Sequence, residues 1–192
     1  MFDNFRKYLS DKGEFSISDF DYIESFASIK KLRKKQYLLQ EGDVWKHLAF
    51  VSTGLLRSYY VDTKGYEHIM QFASENHWTG DRESLITGIT SKFNIEAIEA
   101  SEVILFKNVD FIKLRNEIPA LNDFVSRITN KNVLALEERI YANITLSAEE
   151  KYLNFLKQHP HISNRIPQHM IASYIGISPE TLSRIRSNTT KK

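Results

Sequence analysis

A short group of polar side chains close to the C-terminus has the chemistry needed to bind nucleic acid. Ser178, Glu180, Thr181 and Arg184 follow one another within a single short segment. A guanidinium pairs bidentately with O6 and N7 of guanine, whereas a carboxylate accepts from the N4 amino group of cytosine. Hydroxyl groups contact phosphates or a thymine methyl group. The residue types therefore predict base reading by Glu180 and Arg184, with Ser178 and Thr181 in supporting contacts.

The segment that must position these side chains, residues 166–186, predicts two short helices joined by a tight bend. Counting from Gln168, Ala172 falls where two helices cross closely, and Gly176 falls where the turn requires a positive φ. The apolar positions that would lock the two helices together are Ile171, Ile175, Ile177, Leu182 and Ile185. A helical hairpin used only for packing does not require this combination. The pattern is typical of a helix-turn-helix.

The second of these helices has a well-marked beginning. Ser178 is a suitable N-cap, Pro179 suits the first helical position, and Glu180 in the first turn complements the helix dipole. The start of a recognition helix is the part that enters the major groove of DNA. Weaker candidates for DNA contact are Ser183 and Arg186 on the second helix, and Gln168 and His169 at the start of the first.

The composition excludes several other kinds of site. The 192 residues contain no cysteine, which rules out disulfides, thiolate zinc sites, cysteine-ligated iron–sulfur clusters and thiol nucleophiles. Haem would need an axial ligand such as His47, His68 or His77, but no spacing singles one of them out. No catalytic triad, phosphate-binding glycine loop or marked pair of carboxylates is present. We expect no catalytic residue, no metal site and no resident cofactor.

Charge and hydropathy favour a polyanionic partner over a membrane. Residues 147–192 carry seven Lys and Arg against three Asp and Glu, whereas residues 1–146 carry 19 against 21. A basic terminal segment attracts polyanions through Coulomb attraction and counterion release. No run approaches the ~18 to 20 apolar residues of a membrane span, and the N-terminus has no signal-peptide core. We therefore expect a cytoplasmic protein without a membrane partner.

The rest of the chain divides into a β-rich part and a helical part, which predicts an α+β fold. Five of the seven glycines lie between residues 42 and 88, and all four prolines follow residue 118. Short strands alternating with Gly-centred turns predict an antiparallel roll, barrel or sandwich. The predicted strands cover residues 37–40, 49–52, 55–61, 67–72, 94–100 and 103–106. Ahead of them, one helix is expected near residues 2–9, and a second is expected to be capped by Ser18.

Residues 119–143 predict one long helix. Pro119 suits its first turn, and apolar residues recur at steps of three to four positions without a breaker. Such a helix would span roughly 35 Å, more than packing on a small β domain requires. A spacing close to 3.5 favours self-association, although a helix lying across its own domain is the alternative. The predicted dimer contacts are Leu121, Phe124, Val125, Ile128, Leu136 and Ile140.

The chain resembles the Crp/Fnr family of bacterial transcription regulators over nearly its whole length. The most specific match is residues 171–185, IASYIGISPETLSRI. Weaker matches are Glu41-Gly42, residues 50–57 (FVSTGLLR) and residues 65–67 (GYE). The resemblance implies a cyclic-nucleotide-binding β-roll (a double-stranded β-helix), a homodimer along the long helix, and a winged helix-turn-helix on palindromic promoter sites. It also matches Glu180 and Arg184 to the base-reading residues of the family, and RNA polymerase becomes a candidate partner at a promoter.

The resemblance also suggests a domain division. We expect a sensor roll in residues 1–116, a dimerisation helix in 117–145 and a DNA-binding domain in 146–192. Only residues 187–192 follow the recognition helix, so the wing is expected to be truncated or absent. Affinity for DNA is then expected to depend more on the dimer and on Lys191 and Lys192.

The expected effector pocket departs from the family pattern. Members that bind cyclic AMP present a Gly-Glu pair and, about ten residues later, an Arg-Ser or Arg-Thr pair. The matching positions here are Gly80 and Asp81, Ser91 and Lys92, and Val133 and Leu134 on the helix. Asp81 is one methylene shorter than Glu, and Lys92 lacks the planar fork that grips a phosphate. The sequence predicts that cyclic AMP is not the effector, whereas Arg82 and Lys92 could hold another anion.

Two other functions remain open. A cupin-like enzyme would hold a metal through a His-x-His pair, a following Glu and a later His, but His68 stands alone and His77 is followed by Trp78. A regulatory module could instead bind protein through the apolar stripe of the long helix without touching DNA. Glu180 and Arg184 on a capped helix favour the DNA-binding regulator.

Overall fold

Two antiparallel sheets form the N-terminal half of the computed structural model, which describes residues 2–189. The strands are β1 (Ala27–Leu32), β2 (Tyr37–Leu39), β3 (His47–Thr53), β4 (Leu56–Val61), β5 (Glu67–Ala73), β6 (Trp78–Thr79), β7 (Asn94–Ala97) and β8 (Ser101–Lys107). One sheet has the strand order β1-β8-β3-β6, and the other has the order β2-β7-β4-β5. The predicted antiparallel roll and α+β class are confirmed.

Helices precede and follow the strands of the roll in the sequence, and one short helix lies between β6 and β7. They are α1 (Asp3–Ser10), α2 (Ile17–Ser25), α3 (Arg82–Thr87), α4 (Asn108–Glu117), α5 (Pro119–Thr145), α6 (Ala148–Gln158), α7 (Gln168–Ile175) and α8 (Pro179–Thr189). The long helix begins at Pro119, as predicted, because a proline at the first helical position removes only an N–H that has no intrahelical partner. None of the helices in residues 2–189 combines the length and apolar character that crossing a membrane requires.

Two details of the predicted elements are wrong. The cap of α2 is Ser16 and not Ser18: the Ser16 hydroxyl accepts from the Asp19 N–H at 3.1 Å, and the Asp19 carboxylate accepts from the Ser16 N–H at 2.8 Å. This reciprocal capping box satisfies two helix-end donors, which Ser18 within the first turn cannot do. The strand expected to reach residue 100 ends at Ala97: the Ile98 N–H still donates to the Leu55 carbonyl at 2.8 Å, but residues 98–100 form the bend that leads into β8.

The core is divided by the alternation of side chains along the strands. On β3, Val51 points between the two sheets, whereas Phe50 points outward to the helices. The outward cluster is aromatic: Phe5 of α1 meets Phe50 edge-on, with 5.0 Å between the ring centroids. The same cluster contains the first turns of α5. The first sheet is therefore packed between α1, α2 and α4 on one side and the second sheet on the other.

The participation of α5 in this core corrects part of the predicted dimer surface. Leu121 and Phe124 are fully buried against the roll of their own chain, and Val125 and Ile128 pack at the edge of the same cluster. Leu121 and Phe124 are therefore not free to contact a second chain, whereas Val125 and Ile128 keep part of their surface exposed and remain predicted dimer contacts. In the second half of α5, Arg139 donates to the Met70 carbonyl of β5, whereas Leu136 is 52% exposed and Ile140 is 51% exposed.

Candidate nucleic-acid interface

The bend between α7 and α8 has the geometry expected from the sequence. Gly176 adopts φ +70° and ends α7, and the Ile177 N–H closes the turn by donating to the Ala172 carbonyl at 3.0 Å. A Cβ on Gly176 would meet nothing within 4 Å, so the backbone conformation, and not the space, requires glycine. Ala172 is completely buried at the helix crossing. The two helices are therefore fixed at a defined angle.

One apolar cluster locks the helix-turn-helix. Ile171, Ile175 and Leu182 are buried in it, and Ile177 and Ile185 pack against it. The cluster also includes Tyr152 and Phe155 of α6, together with residues from the outer face of the second sheet. Five predicted apolar positions are thus confirmed, and a rigid packed unit presents α8.

The start of α8 is organised by its N-cap. The Ser178 hydroxyl accepts from the Thr181 N–H at 3.2 Å, as expected for the cap. A hydrogen bond from its own backbone N–H and one from Ser178 lower the pKa of Glu180, so its carboxylate is charged at neutral pH. The guanidinium of Arg184 lies one turn later and donates to the Thr181 hydroxyl at 3.4 Å.

The candidate contact residues lie on the outside of this unit. Ser178, Glu180, Ser183, Arg184 and Arg186 are exposed on or beside α8, and His169 is exposed on α7. Thr181 and Gln168 are half-buried. Within residues 2–189, neither Glu180 nor Arg184 forms a salt bridge. A spacing of four residues places their side chains on one helix face, where both reach solvent. Lys191 and Lys192 lie outside the described residues.

The helix-turn-helix is docked on the roll through the edge of the second sheet. The Ser173 hydroxyl of α7 accepts from the Ile69 N–H at 3.0 Å and donates to the Glu67 carbonyl at 3.0 Å. Because β5 is an edge strand, these backbone groups have no neighbouring strand to bond. One side chain of α7 therefore takes the place of a missing strand.

A second contact between the two parts is an arginine fork that sequence reasoning missed. Arg165 donates to both carboxylate oxygens of Glu75 at 3.0 and 2.9 Å, and to Glu99 at 2.5 Å. Burial raises the pKa of Glu75, but the hydrogen bonds from Arg165 and from the backbone N–H groups of Glu75 and Gly54, together with the charge of Arg165, lower the pKa overall. Glu75 also accepts from the Gly54 N–H at 2.9 Å. The fork therefore ties the segment before α7 to two turns of the roll.

The residues at the expected effector pocket are engaged in local structure. A Cβ on Gly80 would lie 2.5 Å from Nε1 of Trp45, whose side chain is 6% exposed and fills the space against this glycine. The Asp81 carboxylate accepts from the Ser84 N–H at 3.0 Å and caps α3. Both residues therefore serve the fold of the roll.

The other pocket candidates are engaged in local contacts or exposed to solvent. The Ser91 hydroxyl donates to the Phe93 carbonyl at 2.9 Å, and the Lys92 ammonium lies 3.3 Å from the Glu83 carboxylate. Arg82 is exposed at the start of α3, and Val133 and Leu134 are exposed on α5.

The histidines considered for haem or a cupin metal lie apart from one another. His68 bonds Asp62 at 2.8 Å, and His77 is within 3.0 Å of the Glu75 carbonyl. Burial, followed by the positive charge of Lys107, lowers the pKa of His47. The described part of the chain contains no group of three or more His, Asp or Glu side chains arranged to hold a metal ion.

Comparison with known proteins places this architecture among regulators. Residues 29–117 match the family model described as "Cyclic nucleotide-binding domain". The chain is 26% identical over 185 residues to the fumarate and nitrate reduction regulatory protein of Vibrio cholerae, covering 88% of this chain and 71% of that protein. It is 27% identical over 175 residues to the regulatory protein HlyX of Actinobacillus pleuropneumoniae, covering 81% of this chain and 69% of HlyX. The structure of FixK2 from Bradyrhizobium japonicum superposes with a TM-score of 0.74 at 21% identity, covering 86% of this chain and 85% of the FixK2 chain.

Proposed function

Because the chain belongs to the Crp/Fnr family of transcriptional regulators, we propose that it binds a palindromic promoter site as a homodimer, with one α8 from each subunit in the major groove. It is a DNA-binding regulator and not an enzyme, in keeping with the regulatory names of its relatives. The observation that carries the proposal is that Glu180 and Arg184 are both exposed on one face at the capped start of α8. We further propose that the protein acts in the cytoplasm, where its DNA target lies, and that RNA polymerase is a candidate partner of the bound dimer.

The second half of α5 supports the dimer. This half of the helix exposes a series of large apolar side chains, namely Val133, Leu134, Leu136, Ile140, Tyr141 and Ile144. Val133, Leu136 and Ile140 follow one another at steps of three and four residues, which is the spacing of a coiled-coil seam. An exposed apolar stripe of this length marks an association surface. A second copy of the chain, with the same seam, covers it symmetrically.

The dimer gives the regulator its mechanism. Two recognition helices read two half-sites only when they stand about 34 Å apart, one turn of DNA. A signal received by the roll would shift the population between two dimer arrangements, of which one has this spacing. The docking of α7 on β5 supports such coupling, since the roll and the helix-turn-helix share hydrogen bonds. We propose that the protein has no resident cofactor and that its signal is a molecule other than cyclic AMP.

Replacing Arg184 with alanine tests base reading. We expect the variant to lose roughly 1 to 3 kcal/mol of discrimination between its selected site and a scrambled site, because a bidentate base contact is removed. The site is first selected from random duplex DNA, and both affinities are then measured by fluorescence anisotropy.

Arg184→Lys is the matched control, because it keeps the positive charge and removes only the planar fork. It should recover affinity for the scrambled duplex but not the discrimination. Full discrimination by Arg184→Ala would contradict the assignment of Arg184 as a base-reading residue.

Titration with cyclic AMP tests the effector proposal. We expect no binding heat at micromolar concentration in isothermal titration calorimetry, because Trp45 fills the space at Gly80 and Asp81 is committed to capping α3. Heat from the selected duplex, measured on the same preparation, shows that the protein is active. Micromolar binding of cyclic AMP would overturn the proposal.

A further inference from the structure

The strongest concentration of positive charge in the described chain lies on the roll and not on the helix-turn-helix. Five of the six residues at positions 30–35 are basic. Lys31 is engaged with Glu102 at 2.9 Å. Arg33, Lys34 and Lys35, which we call the basic turn, are exposed, and none of them has a salt-bridge partner among residues 2–189. Three adjacent cations are thus left uncompensated, in a part of the chain whose overall balance is slightly acidic.

The basic turn is a preformed structure. The Gln36 N–H donates to the Arg33 carbonyl at 3.0 Å, and the Gln36 side-chain oxygen accepts from the Arg33 N–H at 3.0 Å. Lys35 adopts φ +67°. The Lys35 N–H donates to the Ala97 carbonyl at 2.7 Å, and the Ala97 N–H donates to the Gln36 carbonyl at 3.0 Å. A fixed backbone lowers the entropy cost of placing these side chains against a ligand.

Its anchor places the basic turn at the end of the roll that carries the helix-turn-helix. Ala97, which holds Lys35, is followed by Ile98, and Ile98 is buried in the cluster shared with α6, α7 and α8. The next residue, Glu99, accepts from Arg165 at 2.5 Å. The basic turn is therefore anchored next to the residues of the roll that contact the DNA-binding unit, just after the end of β7.

We propose that the basic turn binds backbone phosphates of the DNA that flanks the half-site read by α8. The proposal rests on the proposed function and extends the contact surface from the helix-turn-helix to the roll. Duplex DNA offers phosphates along its whole length, so three cations on a preformed turn near the DNA-binding unit would add affinity without sequence preference. An anionic membrane is less suited, because the three residues of the basic turn offer no apolar side chain to insert beside their charges.

The experiment neutralises the basic turn and compares two duplexes. Both contain the site selected from random DNA; the short duplex ends at the half-sites, and the long duplex extends each end by about one helical turn. The variant combines Arg33→Gln, Lys34→Gln and Lys35→Gln. On the long duplex, the slope of log affinity against log salt concentration should be less steep for the variant than for the wild type, by up to about 2.7 per chain. Over a fourfold change in salt concentration, this difference corresponds to a factor of ~40 in affinity. On the short duplex, the slope of the variant should match that of the wild type.

A charge-matched control separates a local contact from net charge. Lys46, Lys107 and Lys113 are exposed at the opposite end of the roll, where Lys46 and Lys107 flank or pair with His47 and Lys113 lies over the Phe26 ring before β1. Replacing all three with glutamine should leave both slopes unchanged. Equal slopes for the basic-turn variant and wild type on the long duplex would overturn the inference. An equal change of slope in the control would also overturn it. So would a basic-turn variant that loses binding to vesicles of anionic phospholipid but keeps the wild-type slope on the long duplex. A wild type that selects no duplex would instead overturn the proposed function.

Discussion

Replacing Leu136 and Ile140 with aspartate should leave a 22.4 kDa monomer that no longer prefers a palindromic site. Both residues are half-exposed on the second half of α5. In a symmetric pair, each is buried twice, and burial of one such side chain contributes about 1.5 to 3 kcal/mol. A carboxylate placed there faces a second carboxylate in an apolar seam, which is strongly unfavourable. The loss of association free energy should therefore be large enough to separate the two chains.

Sedimentation velocity at micromolar concentration measures the oligomeric state, and anisotropy measures the preference for a palindrome over one half-site. The matched control is Val109→Asp with Ile17→Asp, since these apolar residues are 71% and 76% exposed but lie on α4 and α2. This control should remain dimeric. A wild type that sediments as a monomer, or a seam variant that stays dimeric, would contradict the proposed assembly.

The helix-turn-helix could be predicted because its determinants are local. The positive φ of Gly176, the small volume of Ala172 and the cap at Ser178 all depend on neighbours within a few residues. The roll was predicted for a similar reason, since each strand is bounded by its own turn. Strand β1 was missed because its lysines mask the alternation, as is common for an edge strand.

Features that depend on tertiary contacts could not be predicted. Periodicity gives the same signal for Leu121, which is buried against the roll of its own chain, and for Ile140, which is half-exposed. Only the tertiary packing of the two halves of α5 separates these residues. Arg165 reaches carboxylates 90 and 66 residues away along the chain, and no spacing indicates such a pair. The packing of Trp45 against Gly80 is non-local in the same way.

Gly54→Ala should destabilise the protein by about 3 to 5 kcal/mol, a large part of the stability of an ordinary domain. Gly54 connects β3 to β4 with φ +93°, a conformation that strains residues with a Cβ. The added methyl group would lie 2.6 Å from the Ala100 carbonyl oxygen and 2.7 Å from the Ser101 Cα, so backbone has to move. Denaturant unfolding, followed by tryptophan fluorescence, measures the change in the free energy of unfolding.

Gly65→Ala separates the clash from the backbone strain. Gly65 has a similar φ of +85°, but a Cβ there would meet nothing within 4 Å. This control should lose only about 1 to 2 kcal/mol, so the difference between the two variants measures the close approach at Gly54. Since the Gly54 N–H also holds Glu75, a backbone shift at this turn should disturb the fork with Arg165 and weaken the docking of the helix-turn-helix. Equal losses of stability in the two variants would show that the turn tolerates the methyl group and that this coupling is absent.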